Sequence, residues 1–131
     1  MKELLAVALG GSAGAVCRYW FNVWAAARFG ALFPYGTLIV NVAGCFLIGF
    51  LLKVLTEKTT LFSHYARLLL TTGFLGALTT FSAYSYETIS LLERGKFLFA
   101  FYNVAANLLL GFFATWLGIC AAKVVLELIK R

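Results

Sequence analysis

Acidic residues are scarce in this sequence. Only five of its 131 residues are carboxylates, Glu3, Glu57, Glu87, Glu93 and Glu127. Each stands at an end of a long apolar run or in a link between runs, never at a centre. A proton-coupled small multidrug transporter needs a carboxylate at membrane depth to exchange protons for cations, so that class is disfavoured. Cysteine is also sparse. Cys17, Cys45 and Cys120 all fall inside apolar runs, and an odd number without paired spacing gives neither a disulfide framework nor a metal motif. They read as small buried apolar residues. The one histidine, His64, has no partner visible in the sequence.

What is abundant is apolar surface. Hydrophobic residues make up 63% of the chain, and the mean hydropathy is +0.93. A soluble domain of this length cannot hide that much apolar surface, so lipid is the expected solvent. Four runs are visible, roughly Leu4–Ala27, Gly36–Leu55, Tyr65–Leu92 and Phe97–Val124. Each reaches the roughly 20 residues that cross a hydrocarbon core of about 30 Å. Their links are short, so residues 1–131 form one membrane domain, all-α, with four transmembrane helices. The first run does not stop at a cleavage site but continues through Tyr19, Trp20 and Trp24. It is read as a retained span rather than a signal peptide.

The net charge is +6. Because the charges flank spans, lipid headgroups rather than nucleic acid are the expected partners. With four spans both termini lie on one side. Lys2, Lys53, Lys58, Arg67, Lys123, Lys130 and Arg131 fall there, against Arg28, Arg94 and Lys96 on the other. Without the three C-terminal cations the bias nearly vanishes, and such a chain inserts either way round. Balanced flanks on a small four-span protein point to an antiparallel dimer. Gly10 with Gly14, and Ala114, Gly118 and Ala122, have the small-residue spacing that lets helices approach closely, within one subunit or between two.

Several polar groups lie inside the runs. Arg18 in the first faces a vestibule, a partner or an anion, or else snorkels to the interface beside Trp20 and Trp24. Asn41 in the second is an interhelical hydrogen-bond donor or a donor to a passing anion. Asn103 and Asn107 share one face of the fourth, beside Tyr102. The third run is the most unusual. Residues 71–85 carry two glycines, four threonines and two serines where a span should be most apolar. Gly73 and Gly76 weaken the helix, and Thr79, Thr80 and Ser82 supply capping hydroxyls. The expected result is a helix broken around 76–80, with carbonyls exposed from its first half and amides from its second. Phe81 and Tyr84 follow on one face. Aromatic ring edges are electropositive and meet an anion without a full charge.

These residues resemble the Fluc (CrcB) fluoride channels of bacteria and archaea, essentially from end to end. The resemblance rests on Gly10-Gly11-Ser12-Ala13-Gly14-Ala15 with Arg18, on Gly36-Thr37-Leu38 with Asn41 and Gly44, and above all on residues 72–82, Thr-Gly-Phe-Leu-Gly-Ala-Leu-Thr-Thr-Phe-Ser. It implies an antiparallel dual-topology homodimer in the plasma membrane, with two parallel fluoride pathways and a third helix broken mid-membrane. It also implies a structural sodium ion at the dimer centre, held by the main-chain carbonyls of Gly76 and Thr79. The fluoride pathway would run past Asn41, Thr80, Phe81, Ser82 and Tyr84, with Arg18 at a vestibule and Tyr102, Asn103 and Asn107 as fourth-span candidates. Export would be passive, and the protein not an enzyme. Two positions depart from the family pattern: Tyr84 stands where phenylalanine is usual, and Ala77 where a second glycine is usual. Besides the multidrug transporter, the rival reading is a non-transporting structural membrane subunit.

Overall fold

In the computed structural model, which describes residues 1–58 and 62–130, every regular element is helical. Helix α1 is Lys2–Phe29 and α2 is Tyr35–Glu57. The third span begins as a short α3, His64–Arg67, widens into a π-helical segment, Leu68–Leu75, and returns to α geometry in α4, Gly76–Leu78. It resumes as α5, Phe81–Glu93, and α6 is Phe97–Lys130. Four stretches are long and apolar enough to cross a membrane: Lys2–Phe29, Tyr35–Glu57, His64–Glu93 and Phe97–Ile129. The chain is a multi-pass membrane protein. Arg131, counted in the charge balance, and the link residues 59–61 lie outside the described residues.

The helix ends follow local chemistry. Ser63 caps α3 by accepting from the Ala66 N–H at 3.2 Å. Helix α5 stops at Glu93 and the chain turns at Gly95, whose φ of 68° suits glycine. There the Lys96 N–H reaches the Leu91 carbonyl at 2.8 Å and the Gly95 N–H reaches Leu92 at 2.9 Å, satisfying carbonyls that the helix end would leave open. That tight turn folds α6 back along α5.

Two packings hold the bundle. Helix α2 lies along α6, and α1 lies along the π-helical segment. Both use the small-residue spacings. A Cβ added at Gly10 or Gly14 would collide with the carbonyl oxygens of Leu69 and Phe74 in the π-helical segment. One at Gly118 would collide with the Phe46 carbonyl of α2, and Ala114 and Ala122 are buried on that same face. Of the two uses open to these residues, packing within the chain accounts for both sets. Val40, Leu75 and Leu78 form one buried cluster, and Val54, Ala122 and Leu126 another. The outer faces of all spans keep large apolar side chains exposed, among them Leu9, Val16, Leu109 and Phe112, as lipid-facing helices do.

Candidate functional site

Between α4 and α5 two residues leave helical geometry. Thr79 has φ −81° and ψ 152°, and Thr80 has φ −150° and ψ 116°. Each threonine then binds locally. The Thr79 hydroxyl donates to the Leu75 carbonyl at 3.0 Å. The Thr80 hydroxyl oxygen caps α5, accepting from the Ala83 N–H at 3.1 Å, and lies 3.2 Å from the Ser82 hydroxyl. In a continuous helix the Thr80 N–H would bond to the Gly76 carbonyl. Here it donates to Asn41 Oδ1 at 2.8 Å instead. The bond that a continuous helix would make from Thr80 to the Gly76 carbonyl is thereby replaced, and Thr79 between them is extended rather than helical.

Asn41 works from both ends of its amide. Besides accepting from Thr80, its Nδ2 donates to the Thr80 carbonyl at 3.3 Å and to Asn107 Oδ1 at 2.9 Å. The side chain thus pairs with the Thr80 backbone as a neighbouring strand would, at a point where the helix offers no partner. Of the two roles its amide allows, bonding between helices and donating to an anion, the geometry begins as the first, with both N–H groups engaged.

Beside Asn41 opens a groove of about 390 Å³ lined by Gly76, Thr79, Thr80, Phe81, Tyr84 and Asn107 among others. Among the described residues no charged side chain borders it. The polar side chains along it are those of Thr71, Thr79, Thr80 and Tyr84 and the amides of Asn41 and Asn107. The Phe81 and Tyr84 rings lie with centroids 5.5 Å apart, tilted by 54°. Phe81 is 78% exposed, so an edge remains uncovered within this chain.

The remaining candidates separate. Asn107 joins the groove. Asn103 is fully buried behind it and is not part of its wall. Tyr102 borders a different, apolar cavity with Phe33, Tyr35 and Leu38. Ser82 is exposed and reaches the site through the Thr80 hydroxyl. Arg18 is half-buried on α1, borders none of these cavities and forms no ion pair among the described residues.

Sequence reasoning passes over Glu87 and Thr37. By position the glutamate is an end-of-span residue, yet it turns inward: Oε1 accepts from the Thr37 hydroxyl at 2.7 Å, and Oε2 is buried without a partner among the described residues. The pair lines a second cavity of about 390 Å³ near the α1–α2 link, with Asn22, Ser90 and Arg94. The signal is present as spacing, since Phe81, Tyr84 and Glu87 recur every three residues along α5. No group of three histidine, cysteine or acidic side chains comes together among the described residues.

The sequence profile of the CrcB-like protein, Camphor Resistance (CrcB) family matches residues 5–119. The chain belongs to this family. Among CrcB relatives, a fluoride-specific ion channel of Geobacter metallireducens is 49% identical over 123 residues, 94% of this chain and 98% of its own length. One from Roseiflexus is 47% identical over 123 residues, with the same coverage. One from Dehalococcoides mccartyi is 46% identical over 118 residues, 90% of each chain. Ion channels are not enzymes, and this CrcB chain stands with them.

Proposed function

We propose that this CrcB chain is a fluoride channel of the plasma membrane that exports the ion passively. The observation that carries the reading is a groove bordered by hydroxyls, amides and aromatic rings, with no charged side chain among the described residues, beside an interrupted helix. Fluoride is small and strongly hydrated, so a pathway has to replace water with several donors yet hold the ion weakly enough to release it. Ring edges and amides attract the ion through partial charges and so let it leave again. Asn41, Thr80, Ser82, Phe81 and Tyr84 are the proposed donors, and Arg18 is proposed to gather anions near a vestibule.

The same reading includes an antiparallel homodimer, with the third helix broken at mid-membrane. The carbonyls of Gly76, whose helical partner, the Thr80 N–H, is drawn to Asn41, and of the extended Thr79 are the proposed main-chain ligands of each chain. Hard cations prefer oxygen ligands, so this donor set fits a sodium ion shared by two copies. Such an ion would supply fixed positive charge, while Asn41 keeps the Thr80 N–H from closing over the carbonyl. Exposed Phe81 fits a second wall supplied by the partner copy.

The test is fluoride efflux from liposomes holding purified protein, with chloride as control and with sodium present or replaced. Fluoride efflux without chloride efflux, diminished when sodium is removed, is expected. Exchange of protons for an organic cation with no fluoride efflux would overturn the reading, and indifference to sodium would remove Gly76 and Thr79 from it.

A further inference from the structure

The hydrogen bonds at Asn41 continue beyond the groove. Asn107 accepts from Asn41 at 2.9 Å and donates through Nδ2 to the Asn103 carbonyl at 2.9 Å and to Asn103 Oδ1 at 3.1 Å. Asn103 Nδ2 donates to the Thr88 hydroxyl at 2.9 Å, and that hydroxyl donates to the Tyr84 carbonyl at 2.8 Å. The path therefore leaves α5 at the Thr80 N–H, crosses α2 and α6, and returns to α5 one turn later at Tyr84. Every donor points the same way around it.

Its direction is fixed at both ends by groups that cannot reverse. A backbone N–H only donates, so the atom facing Thr80 N is the Asn41 oxygen. A backbone carbonyl only accepts, so the Thr88 hydroxyl proton faces Tyr84. Between these ends each amide has one consistent orientation. Bonds aligned in one sense polarise one another and strengthen the set.

The consequence falls on Asn41. One of its N–H groups is held by Asn107 at 2.9 Å, and the other by the Thr80 carbonyl at a looser 3.3 Å. The loose N–H is the one an anion in the groove takes with least loss. The firm one keeps the amide plane from turning its oxygen toward the anion. Asn103 and Thr88 border none of the three cavities, so they act on an ion only through this ring.

We propose that Thr88, Asn103 and Asn107 are positioning residues: with Asn41 they close a one-way hydrogen-bonded ring on the first turn of α5, which holds the Asn41 amide with one N–H available to fluoride. The proposal rests on the fluoride-channel reading above.

Thr88→Val keeps the side-chain shape and removes the hydroxyl, whereas Thr88→Ser restores it. Fluoride efflux per folded channel is measured alongside the side-chain NH2 resonances of 15N-labelled asparagine, of which the chain has only Asn22, Asn41, Asn103 and Asn107. Thr88→Val is expected to move the Asn41 resonance and lower efflux about tenfold, with Thr88→Ser close to wild type in both. A Thr88→Val channel with Asn41 unmoved, or with wild-type efflux, overturns the proposal, as does a serine variant as impaired as the valine one. If the valine variant does not fold, titration of the unmodified protein decides. Sodium fluoride, and not sodium chloride, is expected to move Asn41 and Asn107 together; Asn41 moving alone overturns the ring. Absence of fluoride efflux from wild type removes the channel reading instead, and the Asn41 resonance in the valine variant still decides whether the ring exists.

Discussion

At the scale of single residues, Phe81 and Tyr84 carry the sharpest consequences. Both border the groove, and their rings lie 5.5 Å apart on the first turn of α5. Replacing Phe81 with isoleucine retains apolar bulk and removes the electropositive edge. If that edge meets the ion, efflux falls by about tenfold or more, equivalent to about 1.4 kcal/mol on the barrier. If the ring merely packs, as in a structural subunit, efflux does not change. Tyr84 separates binding from release. Its hydroxyl adds a donor that phenylalanine lacks, and each donor both attracts fluoride and delays its departure. Tyr84→Phe is therefore expected to raise the fluoride concentration giving half-maximal flux and to raise the flux at saturation. A fall in both would mean that the hydroxyl serves structure rather than the ion.

At the scale of elements, the crossing of α1 over the third span depends on which glycine is touched. The Gly14 Cα faces the Phe74 backbone so closely that any Cβ displaces main chain. Overpacking of this kind costs about 1–3 kcal/mol, so Gly14→Val is expected to lower the melting temperature in detergent and the yield of monodisperse protein. At Gly11 a Cβ would meet nothing within 4 Å. Gly11→Ala is expected to stabilise slightly, since alanine is favoured over glycine by about 1 kcal/mol inside a helix. Equal effects at the two positions would mean that the π-helical segment does not lie against α1. The four spans and these close contacts were legible in the sequence because long apolar runs and small-residue spacing reflect sterics directly. The threonine cap at Thr80 was legible for the same reason. Leu68–Leu75 as π-helix was not, because Thr71, Thr72 and Gly73 mark a weakened helix without saying which helical geometry it takes. Nor was the ring through Thr88, since Asn41, Asn107 and Thr88 lie on three different helices and only the fold brings them together. The inward turn of Glu87 was hidden because counting from the span end ignores which way α5 carries it, namely toward Thr37.

At the scale of the whole molecule, orientation is the open consequence of the charge distribution. The contact of His64 Nε2 with Glu3 Oε1 at 2.9 Å brings the starts of α1 and the third span together at one end. The cavity lined by Gly30, Leu32 and Arg94 joins the α1–α2 link to the end of α5 at the other. Lys2, Lys53, Lys58 and Arg67 thus oppose Arg28, Arg94 and Lys96, four against three before the C-terminal cations are added. Orientation follows cationic bias near the span ends; with the C-terminal cations set aside the bias is nearly balanced, as the proposed dual insertion would need. An antiparallel pair requires both. Leu32 offers a probe, being 53% exposed in the α1–α2 link and uncharged. In intact cells, a membrane-impermeant thiol reagent is expected to label roughly half of Leu32→Cys chains, the remainder reacting only after the membrane is opened. Adding two lysines beside Leu32 should move the labelled fraction well away from half and lower fluoride efflux in step, because chains of a single orientation cannot pair antiparallel. Labelling that is complete or absent in the unmodified background would exclude dual insertion. Efflux that survives a fully one-sided population would show that conduction does not require the antiparallel pair.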